Sequence, residues 1–400
     1  MTKLLPVAEA LARVTAAFEP LPGEQISVAD GLGRVLAEPV HARVSHPPVA
    51  VSAMDGYAVR GADTAAAPVT LRLIGEAPAG GAHDGVVGAG EAVRIFTGGP
   101  VPDGADAIVI QEDTEAEGDR VTVRLAVAEG NYIRPAGLDF SHGDLGLAAG
   151  RRLTPRDIGL AAAMNLPWLS VRRRPRVALL ATGNEIVRPG DPLGANHIVA
   201  SNSLALSALI TEAGGVAIDL GIARDNEESL RRMAAGAAGA DLLVTTGGVS
   251  VGEHDLVQRV LGEAGLDLDF WRIAMRPGKP LMFGRIKQTP MLGVPGNPVS
   301  ALVCGMIFLR PAIDVMLGLD ADAAPPETAV LGGDLGANDE RQDYLRADLD
   351  RQANGDLLAT PFAKQDSSMM STLSAAGCLI VRPPHAVAAK SGERVEIIRF

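Results

Sequence analysis

VALLATGNEIVRPG, residues 177–190, opens the part of the chain whose pattern decides the fold. Residues Val177 to Ala181 form an unbroken apolar run, ended by Gly183 and then by Pro189 and Gly190. Such a run reads as a short strand buried on both faces. The pattern returns in VAIDLGI (216–222), DLLVTTGG (241–248) and MLGVPG (291–296). Helix-like segments lie between and after these runs at 202–213, 226–238, 254–264 and 298–317. Strands alternating with helices predict a doubly wound, parallel α/β domain over residues 177–318.

On either side the character changes. Upstream, the basic stretch VRRRPR (171–176) separates this domain from short strand-like runs between 69 and 127, alternating with Gly, Pro and Asp turns. In RVTVRLAV (120–127), Val121, Val123, Leu125 and Val127 fall on one face, the period of a half-buried strand. A small all-β domain is expected there. Thr154 and Pro155 mark the cap and first position of a helix reaching Asn165. Near the start, Leu4, Val7, Leu11, Val14 and Phe18 recur at helical spacing, an amphipathic helix rather than a signal peptide. Downstream, DAAPPET reads as a linker, and the runs to Phe400 read as a small β-barrel or sandwich.

Composition bounds the function. A chain of 400 residues predicts two to four domains, and 47% hydrophobic with 21% charged residues supplies real cores. Aromatics at 3% make those cores aliphatic. A net charge of −12 argues against a nucleic-acid or anionic-membrane binder, so an anionic substrate needs a local positive patch or a metal ion. The two isolated cysteines, Cys304 and Cys378, read as buried thiols in a reducing cytoplasm. No run of 18 apolar residues occurs, so no membrane span is expected. The seven histidines form no metal or triad pattern.

In open α/β sheets, ligands bind where strands end and loops lead into helices. Four such loops are unusual here. ATGNEIVRPG (181–190) carries Glu185 away from any helix surface, as a functional acid or a solvated one. VTTGGVSVGEHD (244–255) offers hydroxyls and backbone N–H groups before a helix, a natural anion site. Gly247 and Gly252 have P-loop spacing, but Glu253 and His254 replace the required Lys and Ser/Thr, which excludes a Walker-type NTPase. Asp255 there is either a first-turn acid favoured by the helix dipole or a ligand for Mg²⁺ beside a phosphate. FWRIAMRPGKPLMFG (270–284) places Arg272, Arg276 and Lys279 around a Pro-Gly turn, a solvated hairpin or a patch for an anion. In GVPGNPVSAL (293–302), Pro295, Asn297 and Pro298 fix a backbone shape that cap and first-turn roles also explain. In the β region, Thr97 precedes a double glycine, Asp139 lies in IRPAGLDF, and Asp55 stands between Met54 and Gly56 in a turn-prone stretch.

Taken together, SAMDGYAV, RIFTGGPVPDGADAIV, LLATGNEI, GGVSVGEHD, RPGKPLMFG and VPGNPVSA, in this order and spacing, closely resemble the molybdopterin molybdenumtransferase family (MoeA and the E domain of gephyrin). The resemblance runs over essentially the whole chain. It implies a multidomain α/β plus β protein with four parts. These are a linker and dimerisation domain (1–45 and 140–174), an inserted β domain (46–139), a MogA-like α/β molybdopterin-binding domain (175–320) and a C-terminal β-barrel (326–400). The implied reaction inserts molybdate into adenylylated molybdopterin and releases AMP, the last step of molybdenum cofactor synthesis, with Mg²⁺ assisting. The implied enzyme is a homodimer whose site combines loops of the α/β domain with the partner's inserted domain. The adenylyltransferase of the preceding step and molybdoenzyme chaperones are further implied partners.

Carried over by motif, Asp55, Thr97, Asp139 and Glu185 are the expected catalytic residues. Thr182, Gly183, Asp225, Gly247, Gly248, Ser250, Arg272, Arg276, Lys279, Pro295, Asn297 and Pro298 are expected to bind substrate, and Glu185 and Asp255 the metal. Two positions depart from the family pattern: Ala200 in IVASNS, where an acid is common, and Leu138 in GLDF. Two other functions fit part of the pattern, adenylylation of molybdopterin by a related single α/β domain and a gephyrin-like peptide-binding scaffold. The extra β domains count against the first, and retained Asp55, Thr97 and Asp255 against the second.

Overall fold

The computed structural model describes residues 4–78, 80–247, 265–320 and 326–400. The chain divides into two compact units, Gln25–Val171 and the combination of Met1–Glu24 with Arg172–Phe400.

In the first unit a six-stranded sheet runs in the order Ala107–Ile110, Gly56–Val59, Glu91–Ile95, Val69–Ala77, Arg120–Val123, Thr114–Glu117. Alternation along the strands sends Tyr57, Val59, Val109, Val121 and Val123 into one apolar cluster and Ala58, Val93, Ile95 and Ile108 into another. Gly56 is obligatory, because a Cβ there would lie 1.9 Å from the Val109 carbonyl oxygen. The strand expected to run to Val127 ends at Val123, and Leu125 is 58% exposed. Val123 pairs with Val69 on one side and Thr114 on the other, the first residues of both neighbouring strands. On the Val69 side Pro68 has no N–H to continue the ladder, and on the other side a single further bond, from the Arg124 N–H to the Asp113 carbonyl at 2.9 Å, ends it.

A separate core of Leu36, Val40, Phe140, Leu147, Leu153, Ala161, Met164 and Leu169 surrounds the helix Pro155–Ala163. This helix starts where expected. The Asp157 carboxylate accepts from the Thr154 N–H at 2.8 Å and from its hydroxyl at 2.7 Å.

The second unit holds the α/β sheet, in the order Val216–Ala223, Arg176–Thr182, Leu242–Thr246, Thr289–Val294, Met282–Ile286, Leu266–Trp271. The first four strands are parallel, as expected, but the last two are antiparallel to their neighbours. A two-residue turn at Lys287 and Gln288 joins Met282–Ile286 to Thr289–Val294, and so short a connection permits only an antiparallel pair.

Helices occur at Asn202–Ala213 and at Glu227–Ala234, the latter capped by the Asn226 side chain accepting from the Ser229 N–H at 2.9 Å. The helix expected at 254–264 lies outside the described residues. Pro298–Met316 is continuous, with a π-helical segment at Gly305–Leu309. Its mean hydropathy of 1.7 and its length match those of a membrane span, but 67% of it is buried within the fold. The N-terminal helix Val7–Thr15 packs against it and buries Val7, Ala10 and Val14.

The C-terminal strands Gln342–Arg351, Leu357–Pro361, Glu327–Leu331, Arg394–Arg399 and Cys378–Arg382 pair in that order, and the last pairs with the first, closing a five-stranded barrel. Met275–Arg276 adds to it beside Gln342 and Asp343.

Candidate functional site

Strand direction gathers the α/β loops. Leu266–Trp271 is antiparallel to Met282–Ile286, which is antiparallel to Thr289–Val294, so the first and last run in the same sense. The loops following Thr182, Ala223, Thr246, Trp271 and Val294 therefore leave one edge of the sheet.

Glu185 and Asp225 stand on neighbouring loops there. The Asn184 N–H donates to Asp225 Oδ2 at 3.3 Å and the Asp225 N–H donates to Asn184 Oδ1 at 3.2 Å, which ties the loops reciprocally. Both carboxylates are exposed. Thr182 is buried, and its hydroxyl donates to the Thr246 carbonyl at 3.5 Å. Gly183 continues from it, its N–H bonded to the Ala223 carbonyl at 3.2 Å. Gly247 has φ 87°, and a Cβ there would lie 2.7 Å from the Thr182 carbonyl oxygen, so this loop requires glycine. Gly248, Ser250 and Asp255 lie outside the described residues.

The cation turn divides into three roles. Arg272 adopts φ 70°, a strained conformation for an arginine, and stacks its guanidinium 3.9 Å above the Trp271 ring. Arg276 pairs with Asp339 at 3.1 Å and with Asp343, and donates to Asn338 Oδ1 at 3.1 Å. Lys279 is exposed. The sequence alone had not marked Asp339, Asp343 or Asn338, which lie more than sixty residues beyond the arginine they hold. Pro295 is buried and Pro298 opens the long helix. Asn297 sits at the cap position without a capping bond; its amide donates to Ser367 Oγ at 2.8 Å instead.

The other compact unit joins two expected residues directly. The backbone N–H of Thr97 donates to Asp55 Oδ1 at 2.7 Å and the Thr97 hydroxyl to the same oxygen at 2.8 Å. The Thr97 N–H first, then its hydroxyl, then the field of Arg94, hold the Asp55 carboxyl below its ordinary value. Arg94 is itself fixed between the Tyr57 and Phe96 rings, 5.0 and 4.9 Å from their centroids. Asp139 lies in a cleft of about 850 Å³ with Arg134, His46, Leu138 and Gly98, the residue after Thr97. The Asp139 N–H donates to the His46 carbonyl at 3.0 Å, and its carboxylate is exposed.

Comparison with known proteins defines the class first. Residues 5–165 match the family model for the MoeA N-terminal region (domain I and II), 178–315 that for a probable molybdopterin binding domain, and 328–400 that for the MoeA C-terminal region (domain IV). Molybdopterin molybdenumtransferase 2 of Mycobacterium tuberculosis is 38% identical over 375 residues, covering 91% of this chain and 92% of the relative. The Haemophilus influenzae molybdopterin molybdenumtransferase is 33% identical and covers 95% of both. A molybdopterin biosynthesis MoeA protein from Pyrococcus horikoshii superposes with a TM-score of 0.87 at 33% identity over 99% of each chain. The fold is thus that of a multidomain transferase of molybdenum cofactor biosynthesis. This chain belongs to the molybdopterin molybdenumtransferase family.

Proposed function

We propose that the protein inserts molybdate into adenylylated molybdopterin and releases AMP, acting as a homodimer. The observation that carries this reading is the single sheet edge from which the loops bearing two exposed carboxylates, the turn at Gly247 and the cation turn all leave. Two anionic substrates repel one another, so a site that joins them needs cations, and Arg272, held over the Trp271 ring, and the exposed Lys279 supply these. Asp55 is kept ionised by Thr97, which suits it to orienting a donor group of the substrate rather than to abstracting a proton at neutral pH. Asp139 and Arg134 add an acid and a cation in the cleft beside it. The domain limits and site residues expected from the family motifs are proposed with this reading.

Among the described residues no three His, Cys, Asp or Glu side chains cluster closely enough to hold a metal alone. Glu185, which the family motif pairs with Asp255 as metal ligand, and Asp225, on the loop tied to it through Asn184, are the acids proposed for an ion such as Mg²⁺, which commonly takes one or two carboxylates and completes its shell with phosphate oxygens and water. When bound, Mg²⁺ would neutralise phosphate charge. The chain's own part is to hold Glu185 and Asp225 in register through Asn184. Molybdate is substrate, not a resident group.

The test is AMP release from adenylylated molybdopterin, with and without molybdate and Mg²⁺. Release that depends on both supports the assignment, and release indifferent to molybdate overturns it. Accumulation of adenylylated molybdopterin from ATP and molybdopterin would assign the preceding step instead. Sedimentation at micromolar concentration tests the homodimer.

A further inference from the structure

We infer that Asn202 is a positioning residue that sets the spacing of the molybdopterin-binding loops, an inference that rests on the reading above. Asn202 is the first residue of the helix Asn202–Ala213. Its side-chain Nδ2 donates to Thr246 Oγ1 at 2.9 Å and to the Gly296 carbonyl at 2.7 Å. These acceptors stand at two neighbouring strand ends, Thr246 as the last residue of Leu242–Thr246 and Gly296 in the loop that leaves the adjacent parallel strand Thr289–Val294. The Gly247 N–H to Val294 carbonyl bond, 3.3 Å, links the same two strand ends through the backbone. The Asn202 amide adds a second link, from a third segment of chain. On its far side the 295–298 loop is tied again, by Asn297 to Ser367 Oγ and by the Val299 N–H to the Ser367 carbonyl at 3.1 Å.

The orientation of the amide is dictated by its neighbours. The Gly296 carbonyl can only accept, so the NH₂ group must face it, and both amide protons are committed. Aspartate has the same shape and no donor there. Asn202→Asp therefore sets a carboxylate oxygen against a carbonyl oxygen and adds negative charge beside loops that receive an anion, two effects of the same sign. Asn202→Ala removes the link without repulsion, and Asn202→Ser retains one shorter donor.

Binding of molybdopterin, followed by pterin fluorescence, separates these cases. Asn202→Ala is expected to weaken binding about tenfold and Asn202→Asp about a hundredfold, with Asn202→Ser between wild type and alanine. The AMP-release assay should place the loss on KM, with kcat kept within about twofold. Thr154→Ala, which weakens a helix start in the other compact unit, should lower Tm and leave binding unchanged. Unchanged binding in both the alanine and aspartate variants overturns the inference. So does an aspartate variant no weaker than alanine, or a loss that only tracks the folded fraction. A wild-type protein that binds molybdopterin and releases no AMP would defeat the proposed reaction, while the binding series still decides the role of Asn202.

Discussion

Asp55 directs one oxygen at Thr97 and has no partner for the other among the described residues, the arrangement of a carboxylate aimed by its neighbour. Because Thr97 lowers its pKa, Thr97→Val should raise it toward the ordinary value of 3.8, and the acid limb of the pH–rate profile should move upward. Asp55→Asn keeps the shape and loses the charge, and should reduce the molybdate-dependent rate about a hundredfold or more with little change in Tm. Gly56→Ala should do the opposite. A Cβ 1.9 Å from the Val109 carbonyl oxygen must move the strand Ala107–Ile110, costing about 2 kcal/mol or more, read as a lower urea midpoint. Local pattern exposes Asp55 only as an odd acid among small residues, and the resemblance of SAMDGYAV to the family motif is what marks it as catalytic. Its contact with Thr97, forty-two residues on, depends on the strands Gly56–Val59 and Glu91–Ile95 pairing, which no local pattern specifies.

At the level of elements, apolar runs were legible in the three strands buried on both faces and also in Val216–Ala223, an edge strand that is mostly half-exposed. Arg176–Thr182, Val216–Ala223, Leu242–Thr246 and Thr289–Val294 all appear at the expected strands. The antiparallel edge was not legible, because Leu266–Trp271 alternates exposed and buried residues and reads as a weaker strand. The cap at Thr154 was legible, since capping chemistry is local; Thr154→Ala should cost about 1 kcal/mol in thermal or urea unfolding. The pairing of Arg276 with the barrel was not, being a contact between distant segments. Asp339 lies well below the ordinary carboxylate range, held first by the Arg341 guanidinium and also by Arg276. Its folded pKa is depressed, so its contribution is present above pH 3.8 and is lost as pH falls toward the folded value. Asp339→Asn should therefore flatten the acid side of the stability–pH curve. The effect is small because the carboxylate is 41% exposed.

At the scale of the molecule, both cysteines lie in the second compact unit, Cys304 in the long helix and Cys378 in the barrel, and both are fully buried. Burial pushes the Cys304 thiol up, and the Cys378 thiol up to about 11. An aromatic disulfide reagent at pH 8 should label neither in the native protein and both in denaturant. Rapid labelling of one alone would reveal that the helix and the barrel open separately.

The short strand Met275–Arg276, seated against the barrel, gives the cation turn a mechanical footing. The Gln342 N–H donates to the Ala274 carbonyl at 2.8 Å, so any displacement of the turn pulls on the first strand of the barrel. An anion that steadies the turn is therefore expected to steady this one amide, more than sixty residues downstream. Hydrogen exchange at Gln342 should slow when an anion engages the turn, making one backbone proton a gauge of the site's state.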